Sequence, residues 1–180
     1  MPVYIALLRG VNVGGRAKVA MSDLRALLTE LGFEDARSLL QSGNLVFRGA
    51  ARKAAEIEAS LFSALQRRLG LRSDVMIRTA HDWDGIVAGN PFPDETQRDP
   101  AHVVVLFLTL AASAAAVAAL QGAIAGREIV RGSGRQIYAY YPDGIGRSKL
   151  TLPAIEAALG TRATGRNWNT VLKIAALARP

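Results

Sequence analysis

Residues 103–125 carry no charged side chain, and only Thr109, Ser113 and Gln121 among them are clearly polar. A segment of this length is long enough to cross a bilayer as a helix, so it constrains the fold strongly. Its composition changes in the middle, however. Residues 103–108 are β-branched and bulky, whereas residues 111–119 are mostly alanine, which is only weakly hydrophobic. We therefore predict a buried strand followed by a helix, and no membrane span.

The predicted elements follow the same order in both halves of the chain. In the first half, strands are predicted at residues 3–8, 36–40, 45–47 and 75–77. Helices are predicted to begin at a Ser22 cap, near Ala51 and at a Thr79 cap with Asp82 three residues on. The first two helices carry apolar stripes, which are Leu24, Leu27, Leu28 and Leu31 in one and Ile57, Leu61, Leu65 and Leu69 in the other, and Gly70 ends the second helix. In the second half, strands are predicted at residues 103–108, 129–130 and 136–140, and helices end near Gly122, at Leu159 and at the end of the chain. The helix that ends at Leu159 is predicted to have Thr151 or Leu152 as its cap and Gly160 as its stop. Gly132-Ser133-Gly134 is interpreted as the hairpin turn between two of these strands.

Both halves thus follow the order strand, helix, strand, strand, helix, with a further short element at the end. This order predicts an α+β protein made of two ferredoxin-like plait lobes of the βαββαβ type, packed together. A single mixed-sheet α+β domain is the alternative. We place the N-terminal lobe at residues 1–95 and the C-terminal lobe at residues 101–180, with a polar linker that ends at Pro100. The two lobes are also compatible with one compact unit.

Composition and charge narrow the classes of function. The chain has 180 residues, half of them hydrophobic, and no cysteine. Disulfides, thiolate nucleophiles and cysteine metal sites are therefore excluded, and a reducing cytoplasm is the expected compartment. The net charge is +7, and residues 101–180 hold 9 Lys and Arg against 3 Asp and Glu. This basic half indicates either a solubilising surface or attraction to an anionic ligand or nucleic acid.

The loop after the first strand is rich in glycine. Gly10 and Gly15 have the spacing of a phosphate-binding loop, but Arg16 and Ala17 stand where that motif requires lysine and a hydroxyl residue. We therefore reject a nucleotide hydrolase of that class. A weaker hypothesis remains, in which the backbone N–H groups hold an anion with help from Arg9, Asn12 and Lys18. The alternative is a tight turn that simply requires glycine.

Two further polar segments are candidate ligand contacts. Gln41, Ser42 and Asn44 surround a glycine between two predicted strands, where good turn chemistry is the alternative explanation. Ser148 and Lys149 are adjacent in sequence. A lysine-activated serine usually lies one helical turn from its lysine, so we do not assign catalysis to this pair. We interpret Lys149 as an anion contact and Ser148 as a hydrogen-bond donor.

The segment 164–170 combines a cation, amides, hydroxyls and an indole before an apolar helix pattern. We predict that it starts the last helix, with Asn167 as the cap and Arg166 placed to bind phosphate or carboxylate beside the helix N-terminus. Asn169 and Thr170 would cap the helix or contact the ligand. For Trp168 we favour an anchoring role in the core over stacking on a ligand.

Four segments together resemble a known family. They are Leu7-Leu8-Arg9-Gly10-Val11-Asn12-Val13-Gly14-Gly15, Gln41-Ser42-Gly43-Asn44, Arg147-Ser148-Lys149 and Arg166-Asn167-Trp168-Asn169-Thr170-Val171. In this order and combination the chain resembles the bacterial domain-of-unknown-function family 1697 over nearly its whole length. The resemblance implies a cytosolic α+β protein of about this size built from two plait-like halves, with no established activity.

These observations predict a protein that binds a small ligand bearing phosphate or carboxylate. The predicted binding residues are Arg9, Asn12, Lys18, Gln41, Ser42, Asn44, Ser148, Lys149, Arg166, Asn167, Asn169 and Thr170. The first alternative is an enzyme acting on a phosphorylated or carboxylated substrate, for which no catalytic residue is assigned. The second is a nucleic-acid-binding protein. We predict no cofactor, and neither His81 nor His102 has the spacing of a metal ligand. The oligomeric state is left open.

Overall fold

The structure is a computed structural model, and it describes residues 1–15 and 17–179. The chain divides into two compact units. The first unit comprises Met1–Gly85 together with residues 173–179, and the second unit comprises Ile86–Leu172. This division falls before the linker that the sequence suggested, because the polar stretch after Pro93 is helical and clusters with the second unit.

The first unit has a four-stranded sheet. Its elements are β1 (Val3–Leu8), α1 (Met21–Glu30), β2 (Glu34–Leu39), β3 (Asn44–Arg48), α2 (Ala54–Leu69), β4 (Val75–Thr79) and the start of α3 (Ala80–Ala88). The strand order is β2-β3-β1-β4, and all neighbouring strands are antiparallel. The bulky strand β1 is therefore central and pairs along both edges.

One face of this sheet is covered by α1 and α2. Alternate residues of β1, namely Tyr4, Ala6 and Leu8, belong to the same buried cluster as helix residues at i, i+3 and i+4 spacing. These helix residues are Leu24, Leu27 and Leu28 of α1 and Ile57, Leu61 and Leu65 of α2. The apolar stripes expected from the sequence are confirmed.

The second unit has a three-stranded sheet. Its elements are the end of α3, α4 (Pro93–Arg98), a 3-10 turn (Pro100–His102), β5 (Val103–Ala112), α5 (Ala114–Ala123), β6 (Ile129–Tyr140), a second 3-10 turn (Ile145–Arg147), α6 (Leu152–Leu159), β7 (Ala163–Asn167) and the start of α7 (Trp168–Ala178). The order is β6-β5-β7, and both pairs are antiparallel. The α+β class is confirmed over the described residues.

The uncharged segment forms a strand and a helix, as predicted. Val104, Leu106 and Leu108 share a buried cluster with Val117 and Leu120 of α5. The Ser113 hydroxyl accepts a hydrogen bond from the N–H of Ala116 and caps α5. Among the residues described, no helix is both long enough and apolar enough to cross a membrane.

The two strands predicted at residues 129–130 and 136–140 both lie within β6, together with Gly132-Ser133-Gly134. A Cβ atom on Gly132 would lie 3.4 Å from Cα of Ile137 and 3.5 Å from the carbonyl oxygen of Gln136, so the chain folds back on itself between these residues. A fully extended strand would separate residues five apart by about 16 Å. Gly132 and Gly134 have φ values of 115° and 84°, which suit the hairpin turn predicted there. The pairing register of β6 with β5 also shifts, between Phe107 and Ala112.

One helix start differs from the predictions, and one strand was not predicted. α1 begins after Ala20, whose side chain makes no capping hydrogen bond, so Ser22 is not the cap. α7 begins at Trp168, next to the predicted cap Asn167, but the residues before it form the strand β7. Arg166 therefore lies on a strand, opposite Val105 of β5. Backbone pairing with β5 makes this segment a strand, although its local sequence carries no strand pattern.

Other capping predictions are confirmed. The N–H of Thr79 donates to the Asp82 carboxylate over 2.8 Å, and the N–H of Asp82 donates to the Thr79 hydroxyl over 3.1 Å, which is a reciprocal capping box. Thr151 caps α6 by accepting from the N–H of Ala154. Gly70 and Gly160 end their helices in the left-handed conformation.

Gly43 closes the turn between β2 and β3 at a φ of 77°, and a Cβ atom there would lie 2.8 Å from Cβ of Leu8. Gly43→Ala is expected to lower the free energy of unfolding by roughly 2–4 kcal/mol, because backbone strain and a steric clash add. Gly32→Ala is the matched control. Its φ is 84° with nothing within 4 Å of the added atom, so only strain of about 1 kcal/mol is expected.

Urea unfolding of the two variants, followed by circular dichroism, measures the difference. Equal shifts of the unfolding midpoint would contradict the close approach of Gly43 to β1.

Candidate functional site

In the first unit, the Asn12 side chain joins two of the predicted polar segments. Its Nδ2 donates to the backbone carbonyls of Val19 over 3.0 Å and Gln41 over 2.7 Å, and its Oδ1 accepts from the N–H of Val19 over 2.9 Å. Asn12 has a φ of 54°, a left-handed conformation that asparagine tolerates better than most residues. The Asn12 amide thus fixes the loop to the turn between β2 and β3. Both of its polar atoms are engaged in hydrogen bonds that stabilise the fold.

Asn44 has a similar structural role. It is fully buried, and its Nδ2 donates to the Leu39 carbonyl over 2.9 Å and to the Ser42 hydroxyl over 3.0 Å. Nearby, the Arg9 N–H donates to the carbonyl of Asp74, the residue before β4, over 3.0 Å. The turn chemistry considered as the alternative for this segment therefore accounts for these contacts.

A cavity of about 440 Å³ opens beside this loop. Its lining is Asn12, Gly15, Lys18, Val19, Ala20 and Gln41, so three of the predicted binding residues meet there. Lys18 is exposed and is the single cation among these lining residues. One exposed lysine beside an amide that is already hydrogen-bonded offers weak recognition of an anion.

In the second unit, the Arg166 guanidinium is buried. Only 7% of the residue is exposed, and Nη1 donates to the Thr164 hydroxyl over 2.8 Å and to the Gly165 carbonyl over 2.9 Å. Burial lowers the pKa of Arg166 to about 10, so the side chain remains a cation at neutral pH. These two hydrogen bonds lie within β7. Arg166 is therefore buried, whereas the sequence predicted an arginine that is accessible to an anion.

Asn167 caps α7 as predicted, because its Oδ1 accepts from the N–H of Thr170 over 3.0 Å. Trp168 is buried with 6% exposure, in keeping with an anchoring role, whereas Asn169 is exposed. The Asn167 oxygen is therefore already engaged at the helix start.

The first unit repeats this arrangement at the end of β4. Arg78 is 4% exposed, and its Nη1 donates to the Ile77 carbonyl over 2.8 Å. Thr79 follows directly and caps α3. In both units the last strand has a buried arginine as its penultimate residue, and its final residue caps the next helix. The sequence shows this arrangement only as the dipeptides Arg-Thr and Arg-Asn, which have no helical or strand periodicity.

A larger cavity of about 620 Å³ lies in the second unit. It is lined by Leu120, Ala123, Ile124, Ala125, Gly126, Arg127, Glu128, Asp143, Gly144, Arg147, Ser148, Lys149, Leu150, Ala154 and Ala158. This volume is typical of small-molecule sites. Of the predicted binding residues, Ser148 and Lys149 belong to this lining. The others lie elsewhere in the chain.

A hydrogen-bond network fixes the loop that carries Lys149. The Ser148 hydroxyl donates to Oε1 of Glu128 in a short hydrogen bond, and it accepts from the N–H of Leu150 over 2.9 Å. The Tyr141 hydroxyl donates to the Leu150 carbonyl over 3.1 Å. Both residues that flank Lys149 are thereby pinned, so its ammonium group extends from a defined backbone.

The titration properties of this network argue against nucleophilic catalysis by Ser148. The hydrogen bond from Ser148 lowers the pKa of Glu128, helped by a backbone hydrogen bond, so the carboxylate is a weak base. Burial, and secondarily the charge of Glu128, raises the pKa of Tyr141 to about 12, so the phenol stays neutral. The network therefore positions the loop.

The cavity carries an excess of positive charge. Arg127 lies 3.6 Å from the Asp143 carboxylate, and both side chains are largely exposed. Arg147 and Lys149 are also exposed, and neither forms an ion pair with another residue of the described structure. These two cations are therefore available to a ligand.

Sequence reasoning missed Arg127 and Glu128 as part of this site. The hydrogen bond between Glu128 and Ser148 spans 20 residues, so no local spacing connects the two. The approach of Asp143 to Arg127 likewise depends on the tertiary fold. Within residues 1–15 and 17–179, no group of three or more His, Asp or Glu side chains is arranged to hold a metal ion.

Ser148→Ala removes the donor to Glu128, so the pKa of Glu128 is expected to rise toward its ordinary value. Because this pKa is lowered on folding, the pair stabilises the protein above the unfolded-state pKa. That stabilisation is lost as the pH falls through the folded-state pKa. The stability difference between the natural protein and Ser148→Ala should therefore be largest near neutral pH. It should fall in acid to the pH-independent part that the lost hydrogen bond from the Leu150 N–H contributes.

NMR titration of the Glu128 side-chain carbon measures the pKa directly. Ser133→Ala, at an exposed serine of β6, is the control and should leave Glu128 unchanged. An identical Glu128 titration in the natural protein and in Ser148→Ala would refute the hydrogen bond as the cause.

Residues 1–138 match the model of a family described as "Protein of unknown function (DUF1697)". Among solved structures, the chain is similar to the conserved bacterial protein SP0830 from Streptococcus pneumoniae. The TM-score is 0.78 and the sequence identity 25%, and the match covers 99% of each chain. No curated protein matches this chain.

Proposed function

Because the chain belongs to the DUF1697 family of proteins of unknown function, we propose its function from its own residues: it binds a small organic anion in the cavity of the second unit. The observation that carries this proposal is the convergence of Arg147 and Lys149, without acidic partners among the described residues, on a cavity of about 620 Å³. A small ligand in such a cavity would be contacted from several sides.

The supporting loop favours binding over a merely solubilising charge. Ligand binding costs conformational entropy both in the lysine side chain and in any loop that must become ordered, and a loop that is already fixed avoids the second cost. Here the Ser148 hydroxyl donates a hydrogen bond to Glu128, and the Leu150 carbonyl accepts one from Tyr141. The cations therefore project from a pre-organised loop, which is what an anion site requires.

The other predicted binding residues have no part in this proposal. Three asparagine side chains form hydrogen bonds within the fold: that of Asn12 in a loop, that of Asn44 in a turn and that of Asn167 at a helix start. Arg166 donates to groups of its own strand. The cavity that contains Lys18 remains a weaker second candidate for the same chemistry.

Two finer proposals accompany this function. The first unit has βαββαβ connectivity and the strand order β2-β3-β1-β4, which supports a ferredoxin-like plait for that unit. The absence of cysteine favours a reducing compartment, so we place the binding function in the cytoplasm.

The double variant Arg147→Ala/Lys149→Ala is expected to weaken anion binding about tenfold or more, because charge-assisted hydrogen bonds are lost. Backbone NMR titrations with acetate, citrate and inorganic phosphate measure the Kd and locate the perturbed amides, which should cluster in residues 143–150. Lys173→Ala removes an exposed lysine of α7 and is the matched control, with no change in Kd expected.

Equal weakening by the control variant would mean that net charge, rather than this cavity, attracts the anion. Perturbation confined to the loop around Lys18 would move the site to the first unit. Tight retention of RNA at low salt, lost steeply as salt is added, would instead favour the nucleic-acid alternative.

A further inference from the structure

The cavity of the second unit has an apolar lining that an inorganic anion would leave uncovered. Deepening the proposed function, on which this step rests, we infer that the ligand is an amphipathic monocarboxylate with an aliphatic body. The carboxylate would lie against Arg147 and Lys149, and the aliphatic body against α5 and α6.

The apolar part of the lining comes from two helices. Leu120, Ala123 and Ile124 have i, i+3 and i+4 spacing at the end of α5. Ala154 and Ala158 have i, i+4 spacing on α6. The two stripes thus face one cavity, so an apolar body bound there would contact both helices.

The alanines on these stripes leave apolar surface in contact with water. Ala123, Ala154 and Ala158 are exposed, whereas Leu120 and Leu150 are each only 6% exposed. The small alanine side chains leave space in the cavity next to the larger, buried leucine side chains, and an apolar ligand could fill that space. Covering this surface with methylene groups is favourable, because apolar area is removed from water on both partners.

The charges of the lining select a single negative charge. Three cations, Arg127, Arg147 and Lys149, face two carboxylates, Glu128 and Asp143. The excess is one positive charge. A phosphate monoester carries close to two negative charges at neutral pH and would be repelled by both acids. A carboxylate head carries one charge and matches the excess.

A homologous series tests the inference. The Kd values of acetate, butyrate, hexanoate and octanoate are measured by isothermal calorimetry, with inorganic phosphate and octyl phosphate as the second head group. Affinity is expected to increase about two- to fourfold for each added methylene, and to level off once the tail extends beyond the cavity.

Two helix variants locate the tail. Ala154→Leu/Ala158→Leu fills the cavity from α6 and should abolish the dependence of affinity on chain length. Ala157→Leu is the matched control. Ala157 is an exposed alanine of the same helix outside this lining, so the dependence should persist.

Each other outcome is decisive. Acetate and phosphate binding with no dependence on chain length would overturn this inference and leave the proposed function intact. Tighter binding of octyl phosphate than of octanoate would overturn the monocarboxylate assignment. Loss of the dependence in Ala157→Leu as well would overturn the placement of the tail. If no anion binds at all, the proposed function and this inference both fall.

Discussion

The two sheets depend on one constraint, which is that a strand buried along most of its length must pair along both edges. Backbone N–H and C=O groups that are removed from water require partners. β1 satisfies this by pairing with β3 and β4, and β5 by pairing with β6 and β7. Ile5, Leu7, Val103 and Val105 are accordingly buried to 0% exposure. The remaining elements of each unit are arranged around these central strands.

The same demand for partners separates structural polar groups from those available to a ligand. Asn12, Asn44 and Arg166 lie next to backbone atoms that need hydrogen bonds, and their side chains supply them. Lys149 lies on a loop whose backbone is already held by its neighbours. A polar side chain that the fold does not use is the one that can serve binding, and this distinction underlies the proposed anion site.

Much of the fold was predictable from local patterns, because helix faces and caps are encoded by nearby residues. The stripe from Ile57 to Leu65 and the Thr79–Asp82 capping box were read correctly for this reason. The turn at Gly132-Ser133-Gly134 was predictable for the same reason, because glycine is a local signal for positive φ. The strand β7 was not predicted, because its partner strand β5 lies far away in sequence.

The sequence by itself determined the α+β class, the strand–helix character of the uncharged segment and the caps at Thr151 and Asn167, since these depend on periodicity and on contacts within a few residues. Only the tertiary structure decided which polar residues meet. It placed Ser148 and Lys149 together with Glu128 and Arg127 around one cavity of the second unit. The physical reason is that a hydrogen bond or a cavity forms between residues that are close in space. When such residues are far apart along the chain, no periodic pattern in the sequence indicates that they meet.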